Sequence, residues 1–160
     1  MGFAYSNNGL SWRAWDNPGE LADGEIYFVT TPAPADLSTA FPGYAAAVAK
    51  ITAEAAYQEL ITGGMTVTST GTPALNGTYA IDQNAQSNIA AEAQFISAFS
   101  EFTNGATTDL PWALVNGSTV EFPTTAAFMN FAKAAAQLVA AAKLAAMSAS
   151  AMPNPSVTIA

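Results

Sequence analysis

Residues 77–89 read GTYAIDQNAQSNI, and the chain changes character within them at a single residue. Up to Ile81 the stretch is strand-like: a Gly turn, then Thr, Tyr, Ala and Ile, which suit a pleated, half-buried surface. From Asp82 it is almost wholly polar, and an apolar face resumes at Ile89. Asp82 therefore stands where a strand hands over to a helix. Its side-chain oxygen can accept a bond from the backbone N–H two or three residues on, satisfying a donor that every helix start leaves open. The polar block reads as a first helical turn, and the helix is expected to run from about Gln83 to Phe102. Phe95, Phe99 and Phe102 are expected along one side, with Ile89 and Ile96 beside them. Asn88 and Glu92 fall within the same arc, and Glu92 is expected to reach its charge out to solvent.

Upstream, a first helix is expected from near Phe41-Pro42 to Thr62-Gly63-Gly64, with proline in the opening turn and a Gly pair at the stop. Tyr44, Val48, Ile51 and Ala55, spaced four, three and four, make one apolar stripe on it. MTVTST then alternates as a strand, and GTPALNG turns the chain into TYAI. Downstream, PWALVNGSTVEFP (111–123) places Asn116-Gly117 between two strand-like runs, which predicts a hairpin with Trp112 on a core-facing strand. Thr124 or Thr125 would cap a third helix, burying Phe128, Phe131, Ala135, Leu138 and Ala142 with Asn130, Lys133 and Gln137 opposite. The sum is an α+β chain: a small helical domain of three Ala-rich helices with a β-hairpin and short strands.

An extended, Trp-containing N-terminal segment precedes it. Residues 1–40 read as an attachment segment, with a short strand in EIYFVTT and a Pro-rich spacer in PAPADL. Residues 41–147 form the helical α+β domain, and 148–160 an extended tail without a fold of its own.

Composition removes several classes of function. In 160 residues, Asp and Glu outnumber Lys and Arg 12 to 4, for a formal charge of -8. Such a surface repels phosphate backbones, so nucleic acid is set aside as a partner. The absence of His and Cys excludes imidazole-based triads, thiolate chemistry and the usual zinc sites. No cofactor is expected. The N-terminus carries no basic stretch followed by an apolar run, so no secretory signal is expected. The apolar run at 126–147 is interrupted by Asn130, Lys133, Gln137 and Lys143, so a soluble helix is expected there rather than a membrane span.

Candidate sites are few. A glycosidase needs two carboxylates converging across a cleft, and Asp23 and Glu25, two apart, could face the same way on a strand, but Asp23-Gly24 reads more simply as a turn. Asp82 and Asn84 have the spacing of two calcium ligands without the rest of a calcium loop, and capping is the better reading. Trp12 and Trp15, in a Gly/Ser/Asn-rich leader, are the strongest partner-docking candidates, because a large ring buries much area at little entropic cost. Stacking on a host glycan is the alternative use. Arg13, between them, can pair with an acidic partner or with Asp16.

The pattern over 44–147 resembles a family of uncharacterised domains in phage and prophage tail-fibre and tail-assembly proteins. Its signature here is the Ala-rich helix ending in Gly63-Gly64, Asp82 and Gln86 at a helix start, Trp112 before Asn116-Gly117, and the last Ala-rich helix after Thr124-Thr125. The leader YSNNGLSWRAWDNPGELADGEIYF is similar to those of phage tail proteins, through Gly9, Leu10, Trp12, Arg13, Ala14, Gly24 and Glu25. The resemblance implies a non-enzymatic component of the virion tail, present in host cytoplasm during assembly and docking onto other virion proteins. It equally permits a tail-fibre assembly chaperone absent from the finished particle. The helical stripes suit a homo-oligomer, trimeric or higher.

Overall fold

The alternation in MTVTS becomes β4 (Met65–Ser69) in a computed structural model that describes residues 2–160: Met65, Val67 and Ser69 are buried, Thr66 and Thr68 exposed. β4 pairs antiparallel with β5 (Gly77–Tyr79) on one side and parallel with β8 (Ser156–Ile159) on the other. A parallel partner demands a long crossover, and everything between β5 and β8 supplies it. The tail expected to lack a fold of its own thus ends as a sheet strand. Ile159 is buried, and its carbonyl accepts the Thr70 N–H at 2.9 Å.

Residues 1–52 and 53–160 form two compact units. In the second, Asp82 does what its position predicts: Oδ1 accepts the Ala85 N–H at 2.9 Å and opens α3 (Gln83–Phe99). Gln86 Nε2 folds back to donate to the Ile81 carbonyl at 2.7 Å, tying the helix to the end of the strand. The helix stops before Phe102, at a left-handed Ser100. This overturns the expected aromatic side: Phe102 lies past the helix and is fully buried, whereas Phe99 points to solvent at 64% exposure. Glu92 is also corrected. It is buried, because the loop after α3 turns back and offers its carboxylate two donors, the Thr103 N–H at 2.9 Å and the Thr103 hydroxyl at 2.6 Å.

β6 (Leu110–Ala113) and β7 (Thr119–Phe122) form the expected hairpin. Its loop is Val115-Asn116-Gly117. The Gly117 N–H donates to Leu114, the Leu114 N–H to Ser118, and only Gly117 of the Asn-Gly pair takes a positive φ, +83°. That is the three-residue loop with a left-handed glycine, one step longer than the tightest Asn-Gly hairpin. Val115 N–H also reaches the Thr78 carbonyl at 2.9 Å, which binds the loop to β5. Thr124 Oγ1 caps α4 (Thr125–Met147) by accepting from Ala127 N–H at 3.1 Å. The expected α4 stripe of Phe128, Phe131, Ala135, Leu138 and Ala142 is buried throughout, and Asn130, Lys133 and Gln137 are exposed.

Around that stripe lies an aromatic core of Tyr79, Phe122, Phe128 and Phe131, with ring centroids 4.6–6.1 Å apart. Edge-to-face and offset pairs of this kind add to what burial alone contributes. The Tyr79 hydroxyl finds its partner inside, donating to Leu75 O at 2.7 Å, and burial pushes its pKa up to about 12.

The first unit is more structured than an extended leader. β1 (Gly2–Ser6) lies at the centre of an antiparallel sheet, between β2 (Ser11–Trp15) and β3 (Ile26–Phe28). Asn7, Asn8 and Gly9 make the left-handed corner between β1 and β2. The Pro-rich spacer is corrected as well: Pro34 starts α1 (Pro34–Ala40), whose Asp36 carboxylate accepts the Ala33 N–H at 3.0 Å. Proline is suited to a first turn, where its missing N–H has no bond to make. Leu37 of α1 and the following Phe41 pack on Tyr5. The next helix, α2 (Tyr44–Gly63), begins three residues after Phe41, runs through the boundary between the units, and ends as expected at Gly64, φ +84°.

Candidate functional site

Antiparallel pairing decides which leader residues share a face. Phe3 and Tyr5 of β1 stand opposite Ala14 and Trp12 of β2, and opposite Phe28 and Ile26 of β3. This face carries the small core with Leu37 and Phe41. At its edge Trp12 remains 60% exposed, while its indole is held by Phe3 edge-on at 5.4 Å and by Tyr5 in a stacked arrangement at 6.5 Å. The ring is fixed on one side and open on the other. A large apolar surface held in a single pose loses little entropy on meeting a partner.

Arg13 and Trp15 alternate with Trp12 along β2 and so lie on the opposite face. The Arg13 guanidinium sits 3.8 Å from the centroid of the Trp15 ring. Its Nε and a terminal nitrogen donate to the two oxygens of Glu25, at 2.8 and 2.6 Å. Glu25 also accepts the Ala22 N–H at 2.8 Å. The Arg13 bonds, then the Ala22 bond, hold the Glu25 carboxyl down at about 2, and Glu25 raises the Arg13 pKa. Arg13 thus forms an ion pair with Glu25, twelve residues along the chain, a partner not named among the expected ones. The fork geometry fits a guanidinium and would not be matched by lysine. Asp23-Gly24 is the expected turn, closed by Glu25 N–H to the Ala22 carbonyl. Both Glu25 carboxylate oxygens are taken up by the Arg13 and Ala22 bonds.

The second unit uses its signature residues for architecture. Asp82 and Gln86 fix the start of α3, Asn116 Oδ1 accepts from the Ser118 N–H and hydroxyl, and Gly117 closes the hairpin loop. Trp112 is half-buried, edge-on to Phe128 at 5.1 Å and Phe131 at 6.4 Å. The calcium reading of Asp82 meets a carboxylate oxygen already occupied by the cap. Among the described residues, no three Asp or Glu side chains converge as metal ligands, and no helix is long and apolar enough to cross a membrane.

Between α3 and α4 runs an open groove of about 650 Å³ that the sequence reading did not anticipate. Ile89, Ala93, Met129, Ala136 and Val139 make it apolar, and its polar lining consists of Gln83, Gln86, Ser87 and Lys133. No carboxylate stands there to pair with the lysine as a base. The alanines facing it across both helices are the only signal that could have announced a groove, since small side chains fill little space.

A three-stranded mixed sheet with an aromatic core and a two-helix crossover defines the second unit as a small α+β domain. Residues 44–157 match the family described as a domain of unknown function, DUF4376, and the chain belongs to that family. No curated protein and no solved structure matches it.

Proposed function

We propose that the chain is a non-enzymatic structural component of a bacteriophage tail: a small tail fibre, adaptor or tail-tip protein. It docks onto other virion proteins, assembles as a homo-oligomer, and resides in the tail after passing through host cytoplasm. The resemblance of the leader and of 44–147 to tail proteins supports this reading. The observation that carries the docking role is Trp12: a single large ring, pinned by Phe3 and Tyr5 and 60% exposed, at the edge of a small sheet. Rings of this kind dominate interfaces when a partner closes over them. Arg13 and Glu25 serve that site by holding β2 and the start of β3 in place rather than by meeting the partner as free charges.

Trp12→Ala tests it. Since the ring is largely outside the core, the variant is expected to fold normally and to be lost from purified particles by tenfold or more. Undiminished incorporation would remove Trp12 from the docking surface. The same exposed ring favours a second reading, stacking on a host glycan. A glycan-array signal abolished by Trp12→Ala would support it, and a silent array would count against it.

A further inference from the structure

Four Asn-Gly pairs lie along the chain, beginning at Asn8, Asn76, Asn104 and Asn116. Such a pair can react with itself: the glycine nitrogen attacks the asparagine side-chain amide, because no Cβ on the glycine bars the approach. The fold does not treat the four alike. Gly9 is buried under Leu37, Phe41 and Tyr44. Gly77 lies in β5 with a Leu114 methyl against it, and Asn76 Oδ1 is held by the Ser69 N–H at 2.7 Å. Asn104-Gly105 and Asn116-Gly117 are exposed, and nothing crowds either glycine. These two loops share one turn, in which the asparagine Oδ1 accepts the backbone N–H two residues on, from Ala106 at 2.9 Å and from Ser118 at 3.0 Å. In both, the glycine N–H donates to the carbonyl three residues back, Phe102 and Leu114 respectively. They differ in a single bond. The Ser118 hydroxyl also donates to Asn116 Oδ1, at 2.7 Å, and Ala106 has no counterpart.

We propose that Asn116 is the chain's site of self-deamidation, with the Ser118 N–H and hydroxyl stabilising the reacting oxygen. The Gly117 nitrogen attacks Asn116 Cγ and gives up its proton. Negative charge gathers on Oδ1, where two donors already point. Donors aimed in advance at a developing oxyanion lower the barrier to its formation. The Cγ–Nδ2 bond then breaks, and ammonia leaves with the proton that Gly117 lost. Water opens the resulting succinimide at either carbonyl and leaves aspartate or isoaspartate at position 116. The balance is one water in and one ammonia out. Either product adds a negative charge to a chain already at -8. Isoaspartate also puts an extra methylene into a loop held by two backbone bonds, Leu114 N–H to Ser118 O at 2.8 Å and Val115 N–H to Thr78 O at 2.9 Å. The tie between the hairpin and β5 therefore weakens as the chain ages. The reaction belongs to this chain whether or not it is a tail protein.

The full chain, incubated in mildly alkaline buffer and followed by peptide mass spectrometry, tests this. Cleavage before Asp109 puts Asn104 and Asn116 on separate peptides. Asn116 is expected to convert about fivefold faster than Asn104, or more, the worth of one good hydrogen bond. Ser118→Ala, at an exposed position, should slow Asn116 to the Asn104 rate with an unchanged thermal melt, and Ser118→Thr should restore it. In denaturant the turns are lost, and the two sites are expected to react at similar rates. Conversion of Asn104 as fast as Asn116 in the folded chain would overturn the proposal. So would an Asn116 rate untouched by Ser118→Ala, or a preference for Asn116 that survives in denaturant.

Discussion

At the scale of single residues, the informative cases are the charges. Arg13 and Glu92 could not be paired from sequence because their partners are set by chain reversals, not by local spacing. Glu25 reaches Arg13 only because β2 and β3 both pair with β1, and Thr103 reaches Glu92 only because the loop after α3 folds back. The Arg13–Glu25 pair also makes a pH prediction. The Glu25 carboxyl titrates at about 2 in the folded chain, against an ordinary value of 4.5. A depressed carboxylate stabilises the fold above its unfolded pKa, and that contribution is lost as protons bind to the native state. The first unit is therefore expected to lose stability as pH falls from about 4.5 towards 2, with the full contribution present at neutral pH. Thermal melts followed by Trp fluorescence across that window check this. Glu25→Gln should flatten the dependence; an unchanged slope in that variant would show that other carboxylates set it.

Among the elements, the legible ones announced themselves by local chemistry. Asp82 and Thr124 are caps in sequence and in structure, the Gly pair ends α2, and the stripe of α4 is buried as its period requires. The misread elements depend on distant partners. β8 is a strand only because β4 offers an edge, and α1 is helical with Leu37 packed on Tyr5 of the sheet. Phe99 fits the helical period yet faces solvent, because α3 is covered on one side only and Phe102 fills the core from beyond its end. The cap at Asp82 can be measured. Asp82→Ala leaves the Ala85 N–H without its acceptor and is expected to cost about 1 kcal/mol by denaturant titration. Asp82→Asn or Asp82→Ser should recover most of it. A loss of the same size in the Asn variant would point to the charge rather than the cap.

At the scale of the molecule, the α+β class was readable because half the chain is apolar and arranged in helical and alternating periods. The division into units at 52/53 was not, since it falls inside one helix that gives no composition signal at the boundary. The candidate site was legible only in part. Trp12 stood out as a large ring among Gly, Ser and Asn, but its support by Phe3 and Tyr5 comes from strand register. The central proposal, a resident tail component, is tested most directly by quantitative mass spectrometry of virions purified from a culture that expresses the chain. The expected result is a fixed, small copy number relative to the major capsid protein. Absence from particles alongside abundance in infected-cell lysate would contradict it and leave the assembly chaperone as the reading to pursue.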